Sequence, residues 1–321
     1  MTFDARPYLK EIARGQHGAR DLTREQARDL FTAVFEGEVA DVALGALLVA
    51  YRIKGEKAEE LAGMVEALTP HVHALRMPMR RTLPVVIPTY NGSRKLPNLL
   101  PLVSLLLARE GVPVLLHGVA HEPQRVSTFE VLAHLGHRAS ASLSEAEGRL
   151  EEHSIAAIPL GLLSPALDRL LAVRLVTGVR NSGHTFTKLL LPSNIAADAA
   201  FRLVAVTHPD ALSLMREHFI AVPGHAFLMR GVEGEAVVRL HSPQPIEQMD
   251  PTGAVVTRLL TECEAPALPA RDAPATAQWT HDVLEGRLPV PPAIAQQVRL
   301  IAEECRAAAS SRPPLKLVSS Q

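Results

Sequence analysis

The chain has 321 residues, enough for one large or two medium domains with a substantial buried core. It is 47% hydrophobic and 21% charged, the balance of an ordinary globular protein, which excludes disorder, collagen-like repeats and coiled-coil rods for the chain as a whole. Lys and Arg total 33 against 34 Asp and Glu, a formal charge of -1, so a uniform basic coat is excluded and any polyanion site requires an uneven distribution of charge.

Residues 1 to about 80 read as helix. Thr23 with Gln26 makes a capping box that opens a helix running through Phe35, and Ala27, Leu30, Phe31 and Val34 recur on one of its faces. Gly37 ends it, and Asp41 is placed to cap a second helix from Val42 to Arg52. Gly55 separates that from a third, Ala58 to Leu68, with Leu61, Met64, Val65 and Leu68 as its apolar stripe and Pro70 as its stop.

The pattern changes at Leu83. Short apolar runs at 84–87, 113–116, 155–158, 202–206 and 226–229 predict strands, and helical segments fall between them at about 97–110, 127–136, 165–175 and 209–218. This alternation predicts an α/β fold: a small N-terminal helical domain, then a larger domain with a mostly parallel sheet covered by helices. Residues 237–240 offer an edge strand, 264–275 read as a Pro- and Ala-rich linker, and helices follow at about 275–285 and 292–309. The expected division is 1–82 helical, 83–309 α/β and 310–321 a frayed tail, with about 165–195 free to return onto the helical part.

Cys263 and Cys305 are too few and too isolated for a disulfide framework or a Cys-based zinc site, which points to a reduced compartment. The opening residues lack the apolar core of a signal peptide, and the apolar runs at 42–51 and 99–108 are shorter than the roughly 20 residues that span a bilayer. The expectation is a cytoplasmic protein with no membrane partner. Aromatic residues are only 4%, which argues against a broad base-stacking platform, and the lone Trp279 reads as packing.

Open α/β sheets bind ligands at the carboxyl ends of their strands. The first such loop is Pro88-Thr89-Tyr90-Asn91-Gly92-Ser93-Arg94-Lys95, where backbone amides together with Arg94 and Lys95 would cradle phosphate. Its spacing is neither a P-loop nor G-x-G-x-x-G. The competing reading is a turn in which Gly92 supplies the backbone conformation and the two cations are solvated.

The stretch Leu44-Gly45-Ala46-Leu47-Leu48-Val49-Ala50-Tyr51-Arg52-Ile53-Lys54-Gly55-Glu56, running on to Glu60-Leu61-Ala62-Gly63, resembles the N-terminal domain of anthranilate phosphoribosyltransferase and of related pyrimidine nucleoside phosphorylases. The active-site motifs depart from that resemblance. The enzyme's Gly-Thr-Gly-Gly-Asp loop, which wraps the pyrophosphate of phosphoribosyl pyrophosphate, is replaced by Pro88-Thr89-Tyr90-Asn91-Gly92-Ser93. Its Lys-His-Gly-Asn segment is replaced by Leu116-His117-Gly118-Val119, and its magnesium-holding Asp-Glu pair is missing, Glu233 and Glu235 standing out of register with it.

Within that superfamily, Ile87 to Lys95, Gly178-Val179-Arg180-Asn181-Ser182-Gly183-His184-Thr185, Gly231-Val232-Glu233-Gly234-Glu235 and Thr276-Ala277-Gln278-Trp279 resemble the YbiB-type branch. That resemblance implies a homodimer joined through the helical domain. It also implies non-catalytic, largely sequence-independent binding of single-stranded DNA or RNA, with duplex left open, and no cofactor. The alternative it leaves is a magnesium-dependent phosphoribosyltransferase with an altered active site.

The charges are unevenly placed. From 71 to 138 the cations include Arg76, Arg80, Arg94, Lys95, Arg109 and Arg125, against Glu110, Glu122 and Glu130. From 169 to 202 Arg169, Arg174, Arg180, Lys188 and Arg202 are opposed by Asp198 alone. Arg94, Lys95 and Arg180 lead as phosphate ligands because they fall in loops beside the old substrate cleft. Lys188, Arg174, Arg125 and Arg202 follow, with Asn91, Gly92 and Ser93 as the loop backbone and His184 placed to touch phosphate or ribose. The competing reading pairs these cations with surface acids. His71-x-His73 and His117-x-x-x-His121 have ligand spacing but lack the third His or Cys of a zinc site.

Overall fold

The computed structural model describes residues 3–15, 18–78, 80–122, 124–264 and 266–311. Four helices form its N-terminal part: α1 (Arg6–Ile12), α2 (Arg24–Glu36), α3 (Asp41–Lys54) and α4 (Ala58–Leu68). The capping box of α2 is formed, with the Gln26 amide N–H donating to Thr23 Oγ1 at 3.2 Å and the Thr23 N–H donating to Gln26 Oε1 at 2.9 Å. Asp41 is the first residue of α3 rather than its cap; Ala40 precedes it and offers no side-chain acceptor. Glu60 on α4 is buried and satisfied from four sides: it accepts from Leu22 N–H, Lys57 N–H, Tyr51 Oη and Lys54 Nζ. A buried carboxylate supplied in this way ties α3, α4 and the entry to α2 together.

Among the described residues seven strands follow: β1 (Val85–Thr89), β2 (Val114–Gly118), β3 (Ile155–Pro159), β4 (Phe201–Val206), β5 (Ala226–Arg230), β6 (Ile246–Met249) and β7 (Val255–Arg258). They lie in the order β3-β2-β1-β4-β5-β6-β7; the first five are parallel and the last two antiparallel. Side chains alternate between two cores. Val86, Leu115, Ala156, Val204 and Leu228 face the helical part, while Ile87, Leu116, Ala157, Leu203 and Phe227 face the opposite layer. Strands buried on both faces read as continuous apolar runs, which is why the five parallel ones are visible in sequence.

The helices of the larger part are α5 (Leu100–Arg109), α6 (Thr128–His134), α7 (Leu143–His153), α8 (Leu160–Leu163), α9 (Pro165–Ala172), α10 (Arg174–Thr177), α11 (Gly183–Phe186), α12 (Pro209–Ala221), α13 (Ala273–Leu284) and α14 (Pro292–Ser310). The segment carrying α9 to α11 comes back to the helical part. There Phe186 meets Phe31 edge-on at 5.9 Å and Phe35 at 6.1 Å.

The edge-strand expectation at 237–240 is corrected. Val237 and Val238 are buried, but Val238 N–H donates to Gln297 Oε1 at 3.1 Å, and the position beside β5 belongs to β6. Residues 264–272 are irregular where described, as the linker reading expects, and the frayed-tail expectation lies outside the described residues from 312 onward. Among the described residues no helix is long and apolar enough to cross a membrane. The strand order reverses between β1 and β4, so the crevice of the sheet opens at their carboxyl ends.

Candidate functional site

The loop after β1 reaches that crevice, and the loop after β5 comes back over it. Asn91 and Gly92 donate their backbone N–H groups to Glu235 Oε1 at 3.0 and 2.7 Å. The N–H groups of Arg94, Lys95 and Leu96 donate to Glu233 Oε2 at 2.9, 3.0 and 3.3 Å. Asn91 Nδ2 also donates to Gly234 O at 3.1 Å. The amide cradle expected in the sequence is therefore present, and two carboxylates of the same chain fill it. This corrects the reading of Asn91, Gly92 and Ser93 as open phosphate ligands: all three are buried, and Ser93 exchanges backbone bonds with Val126. Arg94 and Lys95 remain exposed at the rim, and among the described residues neither side chain has an ion-pair partner.

Behind the rim a basic group assembles from two segments of the chain. Arg125 comes from the loop after β2, Arg174 opens α10, and Arg180 follows it after the left-handed turn at Gly178. Arg125 Nη1 donates to Gly92 O at 3.2 Å, and Arg180 Nη1 donates to Asn91 Oδ1. Burial lowers the Arg180 pKa, and the neighbouring charges of Arg174 and Arg125 lower it further. Arg174 pairs with Glu122 at 2.5 Å, which neutralises part of this concentration.

Deeper still, Lys188 Nζ donates to Ala205 O at 2.9 Å, and burial brings its pKa down to about 8 although Glu235 opposes that shift. The Tyr90 hydroxyl and His117 Nδ1 are 2.7 Å apart in the cleft floor, and burial, with Lys188 nearby, holds His117 at about 3. His184 is likewise held at about 3, by burial and then by Arg180 and Arg174, so it is neutral and offers no cation.

Arg202 is corrected as well. It is 4% exposed, lies at the start of β4, the end of the sheet away from the crevice, and stacks its guanidinium over Phe219 at 4.5 Å. Surface pairing accounts for several other cations: Arg76 bonds Glu147 at 3.0 Å, and Arg80 bonds Glu151 O at 2.6 Å. Three participants were not anticipated as such: Glu122 as counterion, Tyr90 beside His117, and Arg271, whose Nη1 donates to Arg94 O at 2.8 Å. No local pattern marks Arg271, which reaches the rim from the irregular segment before α13.

Magnesium requires carboxylate oxygens open to the ion together with phosphate oxygens. Here Glu233 and Glu235 are taken up by amide donors, and the remaining Glu235 Oε2 is buried without a hydrogen-bond partner among the described residues, in the field of Lys188 and Arg180. That donor set does not fit the metal. Among the described residues no group of three or more His, Cys, Asp or Glu converges as a ligand set.

Comparison with known proteins agrees with this geometry at the level of fold. Residues 6–71 match the family described as glycosyl transferase family, helical bundle domain. The chain is 39% identical to the uncharacterized protein YbiB of Escherichia coli over 301 residues, which is 92% of each chain. It is 29% identical over 189 residues to anthranilate phosphoribosyltransferase of Dictyoglomus thermophilum, covering 59% of this chain and 54% of that enzyme. Among solved structures, anthranilate phosphoribosyltransferase of Thermus thermophilus superposes with a TM-score of 0.71 at 25% identity, over 95% of this chain and 90% of that one. The Saccharomyces cerevisiae enzyme, in complex with PRPP and Mg, superposes at 0.69 with 13% identity, over 97% and 90%, and shows a shared fold alone.

Proposed function

We propose a function from one premise: the chain belongs to the family of Escherichia coli YbiB, built on the anthranilate phosphoribosyltransferase fold. On that scaffold it binds nucleic acid without catalysis, its cations meeting phosphates along the cleft with little base readout. The observation that carries this reading is the convergence of Arg125, from the loop after β2, with Arg174 and Arg180 of the α10 segment at the crevice of the sheet. Like charges gathered against their own repulsion are stabilised when a polyanion arrives. Arg94, Lys95 and Arg271 extend the same charge to the exposed rim.

The chain acts as a homodimer in this reading, which joins two clefts into a longer track. Helix α3 supports it: Val42, Val49 and Ile53 are exposed on one side, while Leu47, Leu48 and Tyr51 are buried on the other.

Fluorescence anisotropy of a labelled single-stranded oligonucleotide tests the proposal across a salt series. Binding is expected to weaken steeply with salt, and Arg94→Ala with Lys95→Ala to flatten the slope by about 0.7 per lost contact. Absence of binding at low salt would remove the function, and an unchanged slope would remove the assignment of the rim. The transferase alternative draws on the similarity to anthranilate phosphoribosyltransferases, and magnesium-dependent consumption of phosphoribosyl pyrophosphate with anthranilate would restore it. The carboxylate-filled cradle and the unsuitable metal ligands weigh against that outcome.

A further inference from the structure

The loop at 91–96 presents five backbone N–H groups, and all five end on two carboxylates. Convergent amides of this kind are anion sites by their electrostatics alone. The chain accepts backbone strain to fill them from within. Glu233 sits at φ 53, a left-handed conformation uncommon for a residue with a side chain, and Gly234 follows at φ 90. A Cβ on Gly234 would lie 2.5 Å from Asn91 Nδ2, so the two loops close directly on each other. Glu235 is 1% exposed, and two amides hold one of its oxygens in the field of Lys188 and Arg180.

We propose that Glu233 and Glu235 are built-in occupants of this anion cradle, standing where phosphoryl groups would otherwise sit and closing it to free phosphate, pyrophosphate and phosphorylated sugars. The same contacts lock the loop as a rigid floor, with Arg94 and Lys95 exposed on it. Burial alone would raise the Glu233 carboxyl, but the amides of Lys95, Arg94 and Leu96 outweigh it and bring the group below its ordinary value of 4.5. The latch is therefore charged and closed at neutral pH. This inference concerns the cradle alone and stands whether or not a polynucleotide binds at the rim.

Isothermal titration of the full chain with inorganic pyrophosphate, without magnesium, tests it. The native chain is expected to show no saturable binding at millimolar concentrations, whereas Glu233→Ala binds at least about tenfold more tightly, the worth of a set of charge-assisted bonds freed for the ligand. Native binding as tight as that of the variant overturns the proposal, and so does a folded Glu233→Ala chain that binds no better. Should Glu233→Ala fail to fold, the native chain and Glu233→Gln carry the test by nuclear magnetic resonance. In the native chain the amide signals of Arg94, Lys95 and Leu96 shift together as pH falls, with a midpoint below 4.5, and in Glu233→Gln that shared titration is lost. Amides that do not titrate, or that titrate independently in the native chain, overturn it.

Discussion

His117 and His218 are buried and His184 is half-buried, all three as neutral imidazoles, and loss of solvation holds each at about 3 against an ordinary value of 6.5. The unfolded chain takes up protons at these positions near 6.5, whereas the folded chain does so only near 3. Their contribution to stability is thus complete above the ordinary value and is lost as pH falls from it toward 3. Each histidine costs the fold on the order of 1 kcal/mol per pH unit in that window. Urea unfolding at pH 7.5 and 5.5 is expected to give a clearly lower midpoint at 5.5, and His117→Gln to reduce the difference. A midpoint that does not move would show that these side chains carry no such burden. None of this was visible in the sequence, where fourteen histidines look alike and only burial separates them.

Among the elements, the returning segment α9 to α11 has a larger energetic role than its short helices suggest. Phe186 is fully buried between Phe31 and Phe35, so Phe186→Ala removes an aromatic anchor joining that segment to α2. The expected loss is about 3–5 kcal/mol, against about 1 kcal/mol for Thr23→Ala at the cap of α2. Equilibrium denaturation of both variants checks the order, and equal effects would mean that the segment is only loosely docked. The cap was legible because its partners lie three residues apart, and the Phe186 contact was not because its partners lie more than a hundred residues away. Strands followed the same division. The five parallel ones announced themselves by two-sided burial, but Ile246-Glu247-Gln248-Met249 forms an antiparallel strand between β5 and β7 with a mixed sequence. Val237 and Val238 are apolar because they are buried near Gln297, and not because they pair.

For the whole molecule, Val42 is 88% exposed and Val176 is 90% exposed, with Ile53 and Leu175 also largely open. Apolar side chains this bare on α3 and α10 fit a surface that a second copy covers. Sedimentation of the native chain is expected to give a dimer, and Val42→Asp with Ile53→Asp a folded monomer with weaker polynucleotide binding. A native monomer would end the two-cleft track, and a dimer indifferent to both substitutions would move its interface elsewhere.

The sequence by itself determined the fold class, the parallel strands, the capping box of α2 and the cluster of cations around 94–95 and 174–188, since each rests on neighbours within a few positions. Tertiary structure alone decided which of those cations reach the crevice. It put Arg202 under the opposite end of the sheet and gathered Arg125 with Arg174 and Arg180. It also brought Glu233 and Glu235 across some 140 residues into a loop whose amides favour an anion. Charge can be counted along a chain, but which charge a backbone N–H meets depends on where the strands end, and only the folded sheet sets that.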